Sequence, residues 1–110
     1  MIASQLSHQE RLQLVLPIVQ AELAVAAGAC LTAREAAKAM ESLLPPVRYK
    51  EAHLLVTKSL RLMEQGFREM KSYVELRLGG IVDDDKRLRA NRLLAEADKM
   101  RQQALLEMPK

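Results

Sequence analysis

Residues 47–78 read VRYKEAHLLVTKSLRLMEQGFREMKSYVELRL and lie between Pro45-Pro46 and Gly79-Gly80. The stretch contains no proline, and its apolar side chains recur with alternating steps of four and three residues. The positions that follow this pattern are Val56, Leu60, Met63, Phe67, Met70 and Val74. Such spacing places all six side chains along one face of an α-helix. We call this row the 56–74 seam, and it predicts one long packed helix over residues 47–78.

The first segment of the chain is predicted to be a helix over residues 8–29, kinked at Pro17. Ser7 and Glu10 have the spacing of a capping box, in which two side chains bond free backbone N–H groups at a helix start. Pro17 removes a backbone donor, but the apolar spacing stays in phase on both sides of it, so we expect a kink rather than an end. Gly28 has low helix propensity and is expected to weaken the end of this helix.

A short second helix is predicted over residues 33–44. Thr32 and Glu35 form another capping box at its start. Pro45-Pro46 should end it, because the residue before a proline avoids helical geometry. Its apolar face is mostly alanine, which would let a neighbouring helix approach closely.

The last helix is predicted over residues 85–108. Gly79-Gly80 provides the glycine that commonly ends a helix, and Asp83 begins a run of carboxylates suited to capping the next one. A tight turn between two long helices makes an antiparallel hairpin. The predicted fold class is therefore all-α, a single domain of residues 1–110 built as an antiparallel four-helix bundle. Its helices would span about 8–29, 33–44, 47–78 and 85–108, with the long hairpin 47–108 as its spine.

Composition agrees with a small helical domain. Of 110 residues, 49% are apolar, 28% are charged and only 3% are aromatic, so the chain has enough apolar surface to fold and few strand formers. One cysteine, Cys30, excludes an internal disulfide framework and favours a reducing, cytoplasmic location. The apolar run 12–31 is interrupted by Glu22 and two glutamines, so we expect no membrane span. Small residues before Cys30 are also compatible with a lipoprotein signal, but the run lacks a basic start.

No catalytic, cofactor-binding or metal-binding residues are predicted. His8 and His53 are distant in sequence, and neither follows a glutamate at the spacing used by helical metal sites. A packed or capping role is the favoured interpretation of His53. No nucleophile–base pair can be named, so the sequence predicts a protein that is not an enzyme and has no cofactor.

A basic cluster opens the last helix, where the helix dipole disfavours positive charge. Its members are Lys86, Arg87, Arg89 and Arg92. One interpretation is a patch for nucleic acid or another anion. The other is local pairing of Asp83 with Arg87 and of Asp85 with Arg89. Residues 83–101 hold six basic and five acidic side chains, so a nucleic-acid partner is possible but not favoured.

The predicted function is a non-enzymatic protein–protein interaction module of the adaptor, regulator or chaperone type. A helix over 33–44 would be too short to cover the long helix, so part of the 56–74 seam would face a partner protein or a second subunit in a homodimer. Alternatively, a second apolar stripe of the first helix would face the partner or second subunit. It is formed by Leu14, Ile18, Ala21 and Val25. The alternative is a small nucleic-acid-associated regulator that uses the basic cluster.

Overall fold

The computed structural model describes the backbone of residues 8–108 and the side chains of residues 16–108. This part of the chain forms three α-helices: α1 (His8–Glu41), α2 (Lys50–Leu78) and α3 (Asp84–Glu107). A short 3₁₀ turn, Val47–Tyr49, precedes α2. The predicted all-α class is confirmed. The Ser7–Glu10 capping box lies outside the described residues.

The predicted break between residues 29 and 33 is wrong, so the described chain has three helices rather than four. α1 continues through Gly28, and Thr32 Oγ1 donates a hydrogen bond to the Gly28 carbonyl at 2.9 Å instead of capping a new helix. The row that packs on α2 keeps its four-and-three spacing across this point. Its members are Val19, Leu23, Ala26, Cys30, Ala33, Ala37 and Met40. This continuous packing outweighs the cost of about 1 kcal/mol that a glycine brings to a helix.

Pro17 lies inside α1, as expected, and the kink there stays a prediction. α2 begins at Lys50 rather than at residue 47, because residues 47–49 form the tighter 3₁₀ turn. Its predicted end at Gly79-Gly80 is confirmed. Gly80 has φ +83°, and the Ile81 N–H donates to the Leu76 carbonyl at 2.8 Å, which is the usual glycine-terminated end of a helix.

The predicted cap of the last helix is confirmed as well. The Asp83 carboxylate accepts a hydrogen bond from the Lys86 backbone N–H at 3.2 Å. α3 then spans Asp84–Glu107, within one residue of the predicted range at each end.

α1 and α3 each pack antiparallel against α2, and contacts between α1 and α3 are sparse in the described part of the chain. Arg77 near the end of α2 pairs with Glu22 of α1 at 2.9 Å. At the other end, His53 Nε2 hydrogen-bonds the Met40 carbonyl at 2.7 Å and so caps the last turn of α1, which confirms its predicted role. The helices form a rod of 64 × 23 × 22 Å.

The core consists mainly of small side chains. Apart from Val19 and Val74, the buried apolar residues are Ala26, Ala33, Ala37, Ala52, Ala90, Ala97 and Ala104. The close packing predicted at Gly66 is confirmed, since a Cβ atom there would lie 2.8 Å from the Leu94 side chain. Small residues let the helix axes approach, but they bury little apolar area each. Many larger side chains therefore stay partly exposed.

Candidate interaction surface

The 56–74 seam is only partly covered by the described chain. Val74 is buried, with 2% of its surface exposed, whereas the other five members are partly exposed. Ser59 and Gly66 of α2 contact α3, and Glu64 contacts α1. Helical periodicity puts these two directions roughly 150° apart around α2, with the seam between them. The seam thus lies on the side of α2 that faces the gap between α1 and α3.

The prediction that the seam is exposed because a short second helix fails to cover α2 is wrong. α1 runs along α2 from Met40 beside His53 to Glu22 beside Arg77, so no short helix leaves α2 uncovered at one end. The seam is open because two neighbouring helices cover two directions, and no third described helix covers the direction between them.

An apolar groove lies between α1 and α2 along this gap. It has a cavity volume of about 510 Å³. Its walls are Ile18, Ala21 and Val25 of α1 and Phe67, Met70 and Val74 of α2, and we use the name apolar groove for this set. Ile18 and Val25 are 60% and 72% exposed. These three α1 residues belong to the second stripe noted in the sequence, and Leu14, its remaining member, has a side chain outside the described set.

The opening continues toward α3. Phe67 also lines a cavity of about 240 Å³ together with Met63 and with Leu94 and Arg101 of α3. At its edge Arg101 pairs with Asp98 at 2.8 Å. Phe67 therefore stands at the centre of a surface that extends from α1 to α3.

The basic cluster is divided by ion pairs. Lys86 Nζ and Arg89 Nη1 lie 3.7 Å and 3.5 Å from the same Glu69 carboxylate oxygen on α2. Arg87 pairs with Asp84 at 3.5 Å, while Arg92 makes no ion pair within the described residues. The partners predicted from sequence, Asp83 for Arg87 and Asp85 for Arg89, are wrong. Asp83 is engaged as a cap, and Glu69 reaches the cluster only through the packing of α2 on α3.

A network of charged side chains joins the end of α1 to α2. Arg61 hydrogen-bonds Glu41 of α1, and Arg61 and Arg68 each contact the buried Glu64 carboxylate at 2.8 Å. The hydrogen bond from Arg61 lowers the pKa of Glu41. The bonds to Glu41 and Glu64 raise the pKa of Arg61. The buried Glu64 carboxylate is thus paired with two guanidinium groups, which offset the free-energy cost of removing its charge from water.

Cys30 lies beside this network. Its thiol donates to the Glu64 carbonyl at 3.5 Å, and a cavity of about 340 Å³ next to it is lined by Arg34, Arg68 and Lys71. Each of these three cations has a glutamate partner on its own helix. The fold thus brings basic residues close to Cys30 although most of them are distant from it in sequence. Their charges are already paired with glutamates.

Two further properties bear on function. Among residues 16–108, whose side chains the structure describes, no group of three His, Cys, Asp or Glu could hold a metal ion. Residues Leu16–Glu41 of α1 are long and apolar enough to cross a membrane by length and composition, although one side of this helix packs on α2. Comparison of the chain with protein-family models, with curated proteins and with solved structures finds no match.

Proposed function

We propose that the chain is a non-enzymatic helical interaction module that binds an apolar helix along the apolar groove. One observation carries the proposal: Ile18 and Val25 of α1 and Phe67 and Met70 of α2 face one open space while remaining partly exposed. A helix laid there would bury these side chains, and full burial of each is worth about 1.5–3 kcal/mol. Amphipathic helices are recognised in apolar grooves of this kind.

The charge around the groove supports an apolar partner. Glu22 is the single charged residue in its lining, and it is paired with Arg77 at 2.9 Å. A charged side chain brought into the groove would lose its hydration without gaining an opposite charge. The partner that fits is therefore a helix with an uncharged face.

The nucleic-acid alternative draws less support. Phosphate groups would have to compete with Glu69 for Lys86 and Arg89, and with Asp84 for Arg87. This alternative expects binding of DNA or RNA that weakens with salt and is lost when Arg89 and Arg92 are changed to alanine. Absence of binding at low salt would remove it.

Site-specific cross-linking tests the proposal. A photoreactive amino acid replaces Val25 in the groove wall and, as the matched control, Lys99, which is exposed on α3. In the native cell we expect adducts from position 25 that map to an apolar helix face, and that disappear when Ile18→Glu is added. Equal cross-linking from both positions, or none from position 25, would contradict the proposal. Circular dichroism of each variant confirms that the helices are retained.

A further inference from the structure

We infer that the helix received by this surface is α1 of a second copy of the same chain, packed antiparallel so that Gly28 of each copy lies opposite Ala21 of the other. The inference rests on the proposed function and names its partner. It concerns the outer face of α1, which we define as Ile18, Ala21, Ala24, Val25 and Gly28. All five residues are exposed, and three of them also line the apolar groove.

The charge pattern of the surface points to a like partner. Between Leu16 and Ala33 the only charged side chain is Glu22, which is already paired with Arg77. The exposed surfaces of α2 and α3 also carry leucines such as Leu88 and Leu105, but there they are interspersed with charged residues, for example Lys58, Arg68, Glu75, Arg92, Glu96 and Lys99. A partner helix must match the uncharged face, because like-charged or unpaired groups at an interface are costly. A second copy of the chain carries the same uncharged face on its own α1, and it is always present at an equal concentration.

Gly28 lies at the C-terminal end of this outer face, and none of the described residues packs on its open side. A Cβ atom at Gly28 would meet nothing within 4 Å, whereas one at Gly66 would clash with Leu94. A glycine inside a helix costs about 1 kcal/mol relative to alanine. The benefit it offers is close approach of another backbone. No described part of the chain uses that space, which leaves room for the backbone of a second helix.

Two-fold symmetry gives the pairing a consistent register. An axis perpendicular to α1 between Ala24 and Val25 places Ala21 of one copy at the level of Gly28 of the other, so small residues face each other on both sides of the axis. The same axis keeps the groove side of α1 on the groove side of its partner. Ile18 and Val25 of each copy then lie at the mouth of the other copy's groove. Antiparallel alignment also opposes the two helix dipoles favourably.

The available area indicates how tight such a dimer would be. The three turns of α1 from Ile18 to Gly28 present a strip of roughly 180 Å², from the length and width of an α-helix. A stable complex buries about 800 Å² on each partner. The α1 pair alone is too small, so the groove must contribute. We expect a dissociation constant on the order of micromolar, as for a modest apolar contact.

Sedimentation equilibrium of the full chain tests the inference with two matched substitutions. Gly28→Leu adds bulk where Gly28 would face Ala21 of the second copy and where the described residues leave room, and Ala95→Leu makes a similar addition on the exposed side of α3. We expect a dimer for the unaltered chain, an increase of the dissociation constant of at least about tenfold for Gly28→Leu, and little change for Ala95→Leu. Val25→Glu, at a position 72% exposed, provides a second disrupting variant that should leave the fold intact.

The register has its own readout. In a Cys30→Ala background, mixing Ala21→Cys chains with Gly28→Cys chains should give the mixed disulfide in preference to either symmetric one. A monomer at all concentrations, or a dimer unaffected by Gly28→Leu and Val25→Glu, would overturn the inference. So would a monomer that binds vesicles of phosphatidylcholine and phosphatidylglycerol through Ile18 and Val25, which would assign the face to a lipid surface. If the chain is monomeric but position 25 still cross-links to another protein, the second copy is excluded while the proposed function stands.

Discussion

At the scale of single residues, the two glycines inside helices have different packing environments. Gly66 is buried where α3 crosses α2, and the Leu94 side chain occupies the space that a Cβ atom would need. Gly28 is exposed, and a Cβ atom there would meet no described atom within 4 Å. The helix propensity of glycine is the same at both positions, so any difference in how a substitution changes stability comes from packing.

Alanine at these two positions should therefore change stability in opposite directions. Gly66→Ala is expected to destabilise the chain by about 1 kcal/mol, because displacing Leu94 costs more than the gain in helix propensity. Gly28→Ala should stabilise it by about 0.5–1 kcal/mol. Urea unfolding at a concentration below dimer formation measures both. A loss of stability on Gly28→Ala would contradict the open environment.

The ion pair between Glu41 and Arg61 makes a pH-dependent contribution. Its hydrogen bond lowers the pKa of Glu41 below the ordinary value of 4.5 in the folded chain. A carboxyl with a lowered folded pKa stabilises the fold above pH 4.5 and loses that contribution as the pH falls through the folded value. Glu41→Gln should lower the thermal unfolding midpoint at neutral pH, and the difference from the unaltered chain should disappear as the pH falls through the lowered pKa of Glu41. Glu107→Gln, on the exposed end of α3, is the control, and an equal effect of both substitutions would contradict the assignment.

At the scale of the helix, local signals and packing compete, and α1 shows which one prevails. Thr32 and Glu35 have the spacing of a capping box, and Gly28 precedes them, so local chemistry favours a new helix start. The row from Val19 to Met40 nevertheless remains in phase with α2 through that point. The same continuity of phase predicts correctly that Pro17 does not end the helix, and applied at Gly28 it would have predicted one helix.

Capping at the start of α3 is a local signal that does hold. Asp83→Ala removes the acceptor for the Lys86 N–H and should destabilise the chain by about 1 kcal/mol. Asp85→Ala lies in the same first turn but makes no cap, so only the smaller dipole contribution of a few tenths of a kcal/mol is lost. Urea unfolding compares the two. Equal effects would mean that charge, rather than the hydrogen bond, carries the contribution of Asp83.

At the scale of the whole molecule, the chain is much more extended than its length requires. Its radius of gyration is 18.6 Å, against about 13 Å for a compact domain of this size. A rod of three helices has a large surface for its volume, and the core is filled mainly by alanine. Burial within one chain is therefore limited, which is consistent with further stabilisation by association.

Association should appear as a dependence of stability on concentration. If two copies pair through α1, the thermal unfolding midpoint of the unaltered chain should rise as protein concentration rises, because mass action favours the folded dimer. Gly28→Leu should remove most of this dependence, and Ala95→Leu should retain it. A midpoint independent of concentration in all three proteins would be evidence against the dimer. Far-ultraviolet circular dichroism during heating provides the measurement.

The helical class, the helix end at Gly79-Gly80, the helix start at Asp83 and the 56–74 seam could all be predicted from residues that are close in sequence. Proline, glycine and capping carboxylates act on the backbone within a few residues, and a helix repeats every 3.6 residues, so these features can be read along the chain. The open side of the seam and the pairing of Lys86 and Arg89 with Glu69 came from the tertiary arrangement. Each depends on which face of α2 a distant segment covers. That choice is set by burial summed over whole helices, and no local spacing reports it.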